Sequence, residues 1–287
     1  MIAHVAQAGE ARGRVVLQLS SGSPSSLAIE AAIRVAQAFQ SELESLFVED
    51  QQLFELASFP FAREISRTGR RSRAFSANDI EREMKLVCAG LQRRIEAMAR
   101  AADVPLRRRV VHDDPVKALA EACAECGPWN VVALAEPFAS GAGRSLHRLF
   151  TAVSDTTGVV VVGPKGQRTI GPVVAAVENV ERLSGMMHAA ERLATVTHGD
   201  TVVLVVAERE EQLHWMEGQA RLLLGERAGV RMILAELAHG VSAVVAEGLR
   251  RLKAGFVICQ FGGLVVPSEG DLKPLAAALE CPLFLVR

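Results

Sequence analysis

The sequence contains no tyrosine, and aromatic residues make up only 5% of its 287 residues. This scarcity disfavours sites that stack sugars or bases on aromatic rings. The formal net charge of −1 argues against a broad nucleic-acid-binding surface. No apolar run approaches the roughly 20 residues that a membrane-spanning helix needs. The composition therefore predicts a soluble globular protein that binds no nucleic acid and does not insert into a membrane.

The five cysteines are an odd number, and no signal peptide precedes them. The opening stretch MIAHVAQAGEARGR lacks the apolar core of a secretory signal, so we expect a cytoplasmic protein with free thiols. Cys123 and Cys126 form a CxxC pair inside a helical stretch, without a second pair or a nearby histidine cluster. We interpret them as two small apolar residues on one helix face, with a redox or zinc site as the alternative.

Ten short apolar runs alternate with helical stretches, five in each half of the chain. They cover residues 15–19, 43–48, 106–111, 131–134 and 159–162, then 173–177, 201–206, 231–237, 256–259 and 283–286. Buried strands that alternate with helices indicate a parallel, doubly wound sheet. The sequence therefore predicts an α/β protein of two tandem five-stranded, Rossmann-like domains packed as a pseudo-dimer.

The spacing of the runs indicates a duplication with one insertion. Val15 is equivalent to Val173, an offset of 158 residues (173 − 15), whereas Leu106 is equivalent to Met232, an offset of 126 (232 − 106). The first half is therefore longer by 158 − 126 = 32 residues between its second and third strands. We expect domain 1 over 13–163, with this insertion at about 50–82, and domain 2 over 171–287.

A Gly/Pro-rich segment, GPKGQRTIGP, joins the two halves, and the second half ends on the apolar run PLFLVR. A terminal apolar strand needs a partner because an open sheet edge invites aggregation. The obvious partner is the final strand of the first half, 159–162. The sequence therefore predicts that the two sheets meet across their last strands.

The insertion combines apolar and basic residues. Its first part predicts an amphipathic helix interrupted at Pro60, and a long helix follows from about residue 78 to 102, capped by Ser76 or Asn78. Between them lie Arg67, Arg70, Arg71 and Arg73. We interpret this basic stretch as a solvated loop; the alternative is a lid whose arginines meet a nucleotide or an acidic partner.

Four stretches resemble the universal stress protein family in a tandem form, and together they cover nearly the whole chain. Residues 14–50 and 172–208 resemble the family's opening strand, small-residue turn, Ala-rich helix and second strand. VVHDDPVKALAEACAECGPWNVVALAE and LKPLAAALECPLFLVR resemble its third and fourth strands and its closing helix and strand. The resemblance implies a fold that binds, or once bound, ATP or AMP, and that works by binding rather than turnover.

The resemblance also implies positions for the nucleotide. ATP-binding members end their first strand with aspartate, where this chain has Ser20 in the first half and Glu178 in the second. The family's phosphate loop follows the fourth strand, because closely spaced glycines let backbone N–H groups approach phosphate oxygens. The implied cofactor-binding residues are Ser20, Gly22, Ser23, Val48, Gly141, Gly143, Arg144 and Ser145.

Both copies depart from the family's loop pattern. In the first half the distant Gly-Ser/Thr pair is missing, and Phe150–Thr151 stand there instead. In the second half Gly262 and Gly263 are too close to the next glycine, and Asp271 adds negative charge. We therefore expect no triphosphate in the second half and leave two interpretations of the first, a nucleotide site or a helix cap at a tight corner.

No spacing of His, Ser, Asp or Glu matches a known catalytic or metal motif. His112, at a strand end, is the best candidate for a titrating group. The sequence therefore predicts a non-enzymatic, stress-related protein that binds ATP or AMP in its first half. The alternative is a nucleotide-independent scaffold or regulatory protein that binds a protein partner or a second copy of itself.

Overall fold

The protein is described by a computed structural model over residues 13–19, 25–49, 51–65, 72–74, 76–125, 130–134, 157–225, 230–236, 242–268 and 272–287. Twelve strands lie in these ranges: β1 Arg14–Leu19, β2 Glu42–Glu49, β3 Arg63–Ile65, β4 Ser72–Ala74, β5 Leu106–His112, β6 Asn130–Leu134, β7 Gly158–Val161, β8 Val173–Val177, β9 Thr201–Ala207, β10 Val230–Glu236, β11 Phe256–Gln260 and β12 Leu283–Val286. The helices described are α1 Ser26–Ala38, α2 Gln51–Ala57, α3 Ala77–Ala101, α4 Pro115–Ala124, α5 Val180–Thr197, α6 Glu210–Leu224, α7 Ser242–Arg251 and α8 Lys273–Ala278.

Ten strands form one continuous sheet in the order β10-β9-β8-β11-β12-β7-β6-β1-β2-β5. The order within each half is the same when read outward from the centre, and every neighbouring pair is parallel except β12 with β7. The predicted α/β fold with a parallel, doubly wound arrangement is confirmed, and the strands of the two halves form one sheet. Nearly all central strand residues are buried on both faces, which is why the strands appear in the sequence as continuous apolar runs.

The pairing register refines the duplication. Val15 pairs with Leu43 and Val173 pairs with Thr201, so the offset of 158 holds for the first two strands. Leu43 pairs with Leu106, whereas Thr201 pairs with Val230, an offset of 124 (230 − 106) rather than 126. The two offsets differ because the sequence alignment started from the apolar residue Met232, whereas β10 begins two residues earlier, at Val230.

The helices cover both faces of the sheet. Residues of α1, α3, α5 and α6 pack on one face in a large apolar core, and residues of α4, α7 and α8 pack in a second core on the other. The structure is therefore a three-layer sandwich in which both cores run across the two halves. No helix in the described part of the chain is both long and apolar enough to cross a bilayer.

The two halves join as the sequence predicts. β7 and β12 pair antiparallel, with Leu283 opposite Val161 and Val286 opposite Gly158. A polar contact reinforces the join, because Arg34 on α1 donates from Nε to Thr169 Oγ1 at 2.8 Å and from Nη1 to the Val196 carbonyl at 3.1 Å. The last strand thus closes the edge of the first half's sheet.

The insertion differs in part from its prediction. Helix α2 ends before Pro60 and α3 begins at Ala77, both as expected from the sequence. Two predictions are wrong here: residues 63–65, expected in the amphipathic helical stretch, and residues 72–74, expected in a solvated loop, pair as a small antiparallel hairpin with both strands exposed. Runs of three residues are too short for alternation to be recognised. Arg73 pairs with Glu64 and Glu83, whereas Arg67, Arg70 and Arg71 lie outside the described residues.

Candidate functional site

The carboxyl ends of the central strands form the natural ligand edge of such a sheet. In the first half β1 and β6 lie side by side there, and in the second half β8 and β11 do. Seven of the predicted cofactor-binding residues lie outside the described residues: Ser20, Gly22, Ser23, Gly141, Gly143, Arg144 and Ser145. Their grouping into one site stays a prediction.

Val48 is the only predicted cofactor-binding residue within the described ranges. It lies near the end of β2, opposite Val111 of β5, and its side chain is buried in the core beneath α4. The strand positions it because every second residue of β2 faces that core.

The second half shows what happens at the equivalent edge. Glu178 follows β8 directly, and its carboxylate accepts hydrogen bonds from two consecutive backbone N–H groups in the loop after β11. Oε2 accepts from Leu264 and Oε1 accepts from Val265 at 3.1 Å. Two N–H groups aimed at one anionic group are the arrangement that also binds phosphate oxygens. Here the anion is a side chain of the same protein.

The two glycines before these donors shape the loop. Gly262 has φ +82°, in the left-handed region that favours glycine, and its N–H donates to the Val266 carbonyl at 2.8 Å. A Cβ on Gly263 would collide with the Glu178 carboxylate. The sequence singled out all three residues as remnants of a phosphate site; it did not predict that they would contact one another.

Burial raises the pKa of the Glu178 carboxyl above its ordinary value of 4.5, and the two backbone hydrogen bonds oppose that rise. A carboxyl whose pKa is higher in the folded state adds stability below its unfolded pKa, and that stability is lost as pH rises through the folded pKa. Ionisation of the Glu178 carboxyl therefore opposes folding.

Glu178→Gln provides a test of this linkage. The side chain keeps its size but does not titrate, so wild type should gain stability relative to the variant as pH falls from neutral to below 4.5. Urea unfolding of both proteins at several pH values measures the difference. A difference that does not change with pH would show that the carboxyl has no raised pKa.

The thiols in the described part of the chain are buried. Burial raises the pKa of Cys281 to about 12 and that of Cys259 further. A thiol is reactive as its thiolate, which these positions disfavour. Cys123 of the CxxC pair is buried as well, and Cys126 lies outside the described residues. Among the described residues no group of three His, Cys, Asp or Glu side chains is arranged to hold a metal ion.

A second polar cluster lines a cleft between α3 and the outer strands of the first half. The cleft has a volume of about 390 Å³ and is lined by Glu49, Glu81, Lys85, Cys88, Ala89, Gln92, Val110 and His112. Glu49 and His112 are register partners on β2 and β5, and Glu49 Oε2 lies 2.7 Å from His112 Nδ1. Glu49 is buried, whereas the imidazole is exposed and has its edge towards Phe54 of α2.

Each charged group of this cleft has a partner. Lys85 pairs with Glu81 at 2.5 Å, which lowers the pKa of Glu81 and raises that of Lys85. Burial, together with the charge of Glu49, raises the pKa of the Cys88 thiol. The sequence identified His112 as a strand-end titrating group, but pairing two strands brings Glu49 to it, and spacing does not show this.

Solved structures share this architecture. A putative universal stress protein from Pseudomonas aeruginosa UCBPP-PA14 matches with a TM-score of 0.55 and 15% identity, over 96% of this chain and 93% of that one. A universal stress protein from Archaeoglobus fulgidus matches with a TM-score of 0.56 and 14% identity, over 95% and 96%. The cytoplasmic domain of a prokaryotic cation chloride cotransporter matches with a TM-score of 0.58 and 10% identity, over 96% and 95%.

No protein-family model and no curated protein matches the sequence. The likeness to the solved structures covers both halves of the chain, so the predicted universal-stress-protein-like fold is confirmed. At these identities the likeness concerns the fold alone. The cotransporter domain has the same fold in a different protein, so function must be argued from this chain's own residues.

Proposed function

We propose that this chain is a non-enzymatic, stress-related binding protein that holds one adenine nucleotide, ATP or AMP, in its first half and none in its second. The observation that carries the proposal is the Glu178 carboxylate on the N–H groups of Leu264 and Val265. A phosphate at that loop would have to displace a tethered carboxylate and would be repelled by it. The second half is therefore closed to nucleotide phosphate.

The first half differs at the position that closes the second. The offset of 158 places Ser20 where the second half has Glu178, and serine carries no charge to oppose a phosphate. The sequence that follows β6 contains Gly141 and Gly143, with Arg144 next to them. Glycines let the backbone approach a phosphate, and arginine neutralises its charge. The duplication thus supports one open copy and one closed copy.

Binding without turnover fits the side chains on the described part of the ligand edge. Phosphate-transfer and hydrolase sites need a metal-binding carboxylate set or an activated base near the phosphate. Among the described residues no such metal set occurs, and Glu178 is committed to two backbone donors. The proposed role is sensing or buffering of the nucleotide.

Calorimetric titration with ATP and AMP, with and without magnesium, tests the proposal. We expect one nucleotide per chain and no release of product over the experiment. Gly143→Leu should abolish binding because it fills the space that a phosphate would enter. Gly90→Leu is the matched control, since a Cβ at Gly90 of α3 meets no atom within 4 Å. Two nucleotides per chain, or unchanged affinity in Gly143→Leu, would contradict the assignment.

A nucleotide-independent scaffold is the second candidate. The insertion favours it, because four large apolar side chains there are exposed to solvent: Leu56, Phe59, Phe61 and Ile65. Exposed apolar side chains grouped in this way often mark protein-binding surfaces. Absence of binding heat, together with no nucleotide in the supernatant of heat-denatured purified protein, would favour the scaffold over the nucleotide-binding protein.

A further inference from the structure

Helix α6 presents apolar side chains on the side that faces away from the sheet. Its inward side is buried in the core through Leu213, Met216, Ala220 and Leu224. On the outward side Trp215 is 61% exposed and Leu222 is 77% exposed, and Leu223 on the flank of the helix is 59% exposed. No part of the described chain covers these three residues. An exposed tryptophan with two leucines on one helix forms an apolar surface, and its burial against a partner would be favourable.

The spacing of this outward face is that of a helix-pairing seam. Glu211, Trp215, Gly218 and Leu222 follow one another at intervals of four, three and four residues, which is the spacing of a coiled-coil contact line. Gly218 lies between the two large residues, and a Cβ there would meet no atom within 4 Å. The face therefore alternates projecting side chains with a gap in which a neighbouring helix can approach closely.

This face is complementary to itself when two copies run antiparallel. A two-fold axis near Gly218 sets Trp215 of one copy against Leu222 of the other, at both ends of the contact. The glycines meet at the centre, where the helices come closest. A two-fold interface uses the same patch on both chains, so one seam supplies both surfaces.

The charges beside the seam favour the same partner and orientation. His214 lies 3.7 Å from Glu210 and 3.6 Å from Glu217, so the first half of the helix is acidic on this flank. Arg221 pairs with Glu217 of its own helix at 2.7 Å, and in an antiparallel pair it would also lie near Glu217 of the second copy. Antiparallel helix dipoles also attract. An anionic membrane surface would repel Glu210, Glu211 and Glu217.

We propose that the outward face of α6 is a self-association surface, on which a second copy of this chain docks through its own α6 in antiparallel orientation. One pair of 15-residue helices gives less contact than the roughly 800 Å² per partner of a standard stable interface. The dimer is therefore weak and its population depends on protein concentration. This surface is separate from the nucleotide edge and does not depend on the proposed function.

Sedimentation velocity over a wide range of protein concentration tests the proposal on the full chain. Wild type should pass from monomer to dimer, and Trp215 fluorescence should shift to shorter wavelength as the dimer forms. Trp215→Ser and Leu222→Ser should each raise the dissociation constant by about tenfold or more, as expected for the large apolar side chains that anchor an interface. Leu86→Ser is the matched control, because Leu86 is 68% exposed on α3, away from α6.

Gly218→Ala separates the contact from general stability. Alanine should stabilise the helix in the monomer and raise its melting temperature, because glycine is the poorer helix former. The same methyl group should weaken dimerisation because it fills the gap at the helix crossing. A chain that stays monomeric at every concentration overturns the proposal. So does a dimer that all three α6 variants leave unchanged, and so does Trp215-dependent binding to vesicles in place of dimerisation.

Discussion

Arg14→Leu is expected to lower the free energy of unfolding by about 3–5 kcal/mol, the usual cost of leaving a buried charge without its partner. Arg14 begins β1, and its Nη1 lies 2.5 Å from Oε2 of Glu44 on β2. The Glu44 side chain is fully buried, and the Arg14 side chain is only 9% exposed. Arg109 reaches the other Glu44 oxygen only at 3.9 Å and pairs with Glu125 at 2.8 Å, so it cannot replace Arg14 fully.

The double variant Arg14→Leu/Glu44→Leu is the control. Removing both charges removes the cost of their desolvation together with their attraction. The free energy of unfolding of the double variant should therefore return most of the way to the wild-type value. Urea unfolding of the wild type and of the single and double variants gives the coupling between the two residues. If the double variant is as unstable as Arg14→Leu, the loss comes from packing and the buried ion pair is not its cause.

Gly158→Ala is expected to cost about 1–3 kcal/mol, the range for forcing extra volume into a packed interior. Gly158 begins β7 at the junction of the two halves. A Cβ there would lie 2.6 Å from the Leu285 carbonyl oxygen and 2.6 Å from a ring carbon of Phe284. Both residues belong to β12. The carbonyl belongs to the backbone, so only a shift of one strand against the other makes room.

Gly90→Ala shows what the same substitution does where space is free. Its Cβ meets nothing within 4 Å, and it lies within α3, so the variant should be slightly more stable than wild type. Thermal unfolding of both variants makes the comparison. Equal effects at the two positions would mean that the β7–β12 contact is not tightly packed.

The fold could be predicted because parallel strands that are buried on both faces have continuous apolar sequences. All ten runs correspond to strands of the large sheet, and the pairing of β7 with β12 followed from the need to cover two apolar edges, whereas its antiparallel direction was not predicted. The insertion hairpin could not be predicted, because it rests on contacts such as Arg73 with Glu64 and Glu83 rather than on an apolar pattern.

The residue types of the site could be predicted from the sequence, but the contacts between these residues could not. Glu178 and Gly263 are 85 residues apart in the sequence (263 − 178), and only the neighbouring positions of β8 and β11 bring them together. The sequence did not indicate the Arg14–Glu44 ion pair for the same reason, because only the pairing of β1 with β2 brings the two residues together. A charged residue in a strand is usually exposed, and its burial depends on the residue that pairs across from it.

The antiparallel join of β7 and β12 has a consequence for the order of events during synthesis. The first half emerges from the ribosome with the apolar edge of β7 unpaired, and its partner β12 begins 122 residues later (283 − 161). Domains tend to fold as they emerge, so a nascent first half would wait with that edge open until β12 has been synthesised. The interval is a window for pairing with a neighbouring nascent chain on the same message, and slower translation of the second half would lengthen it.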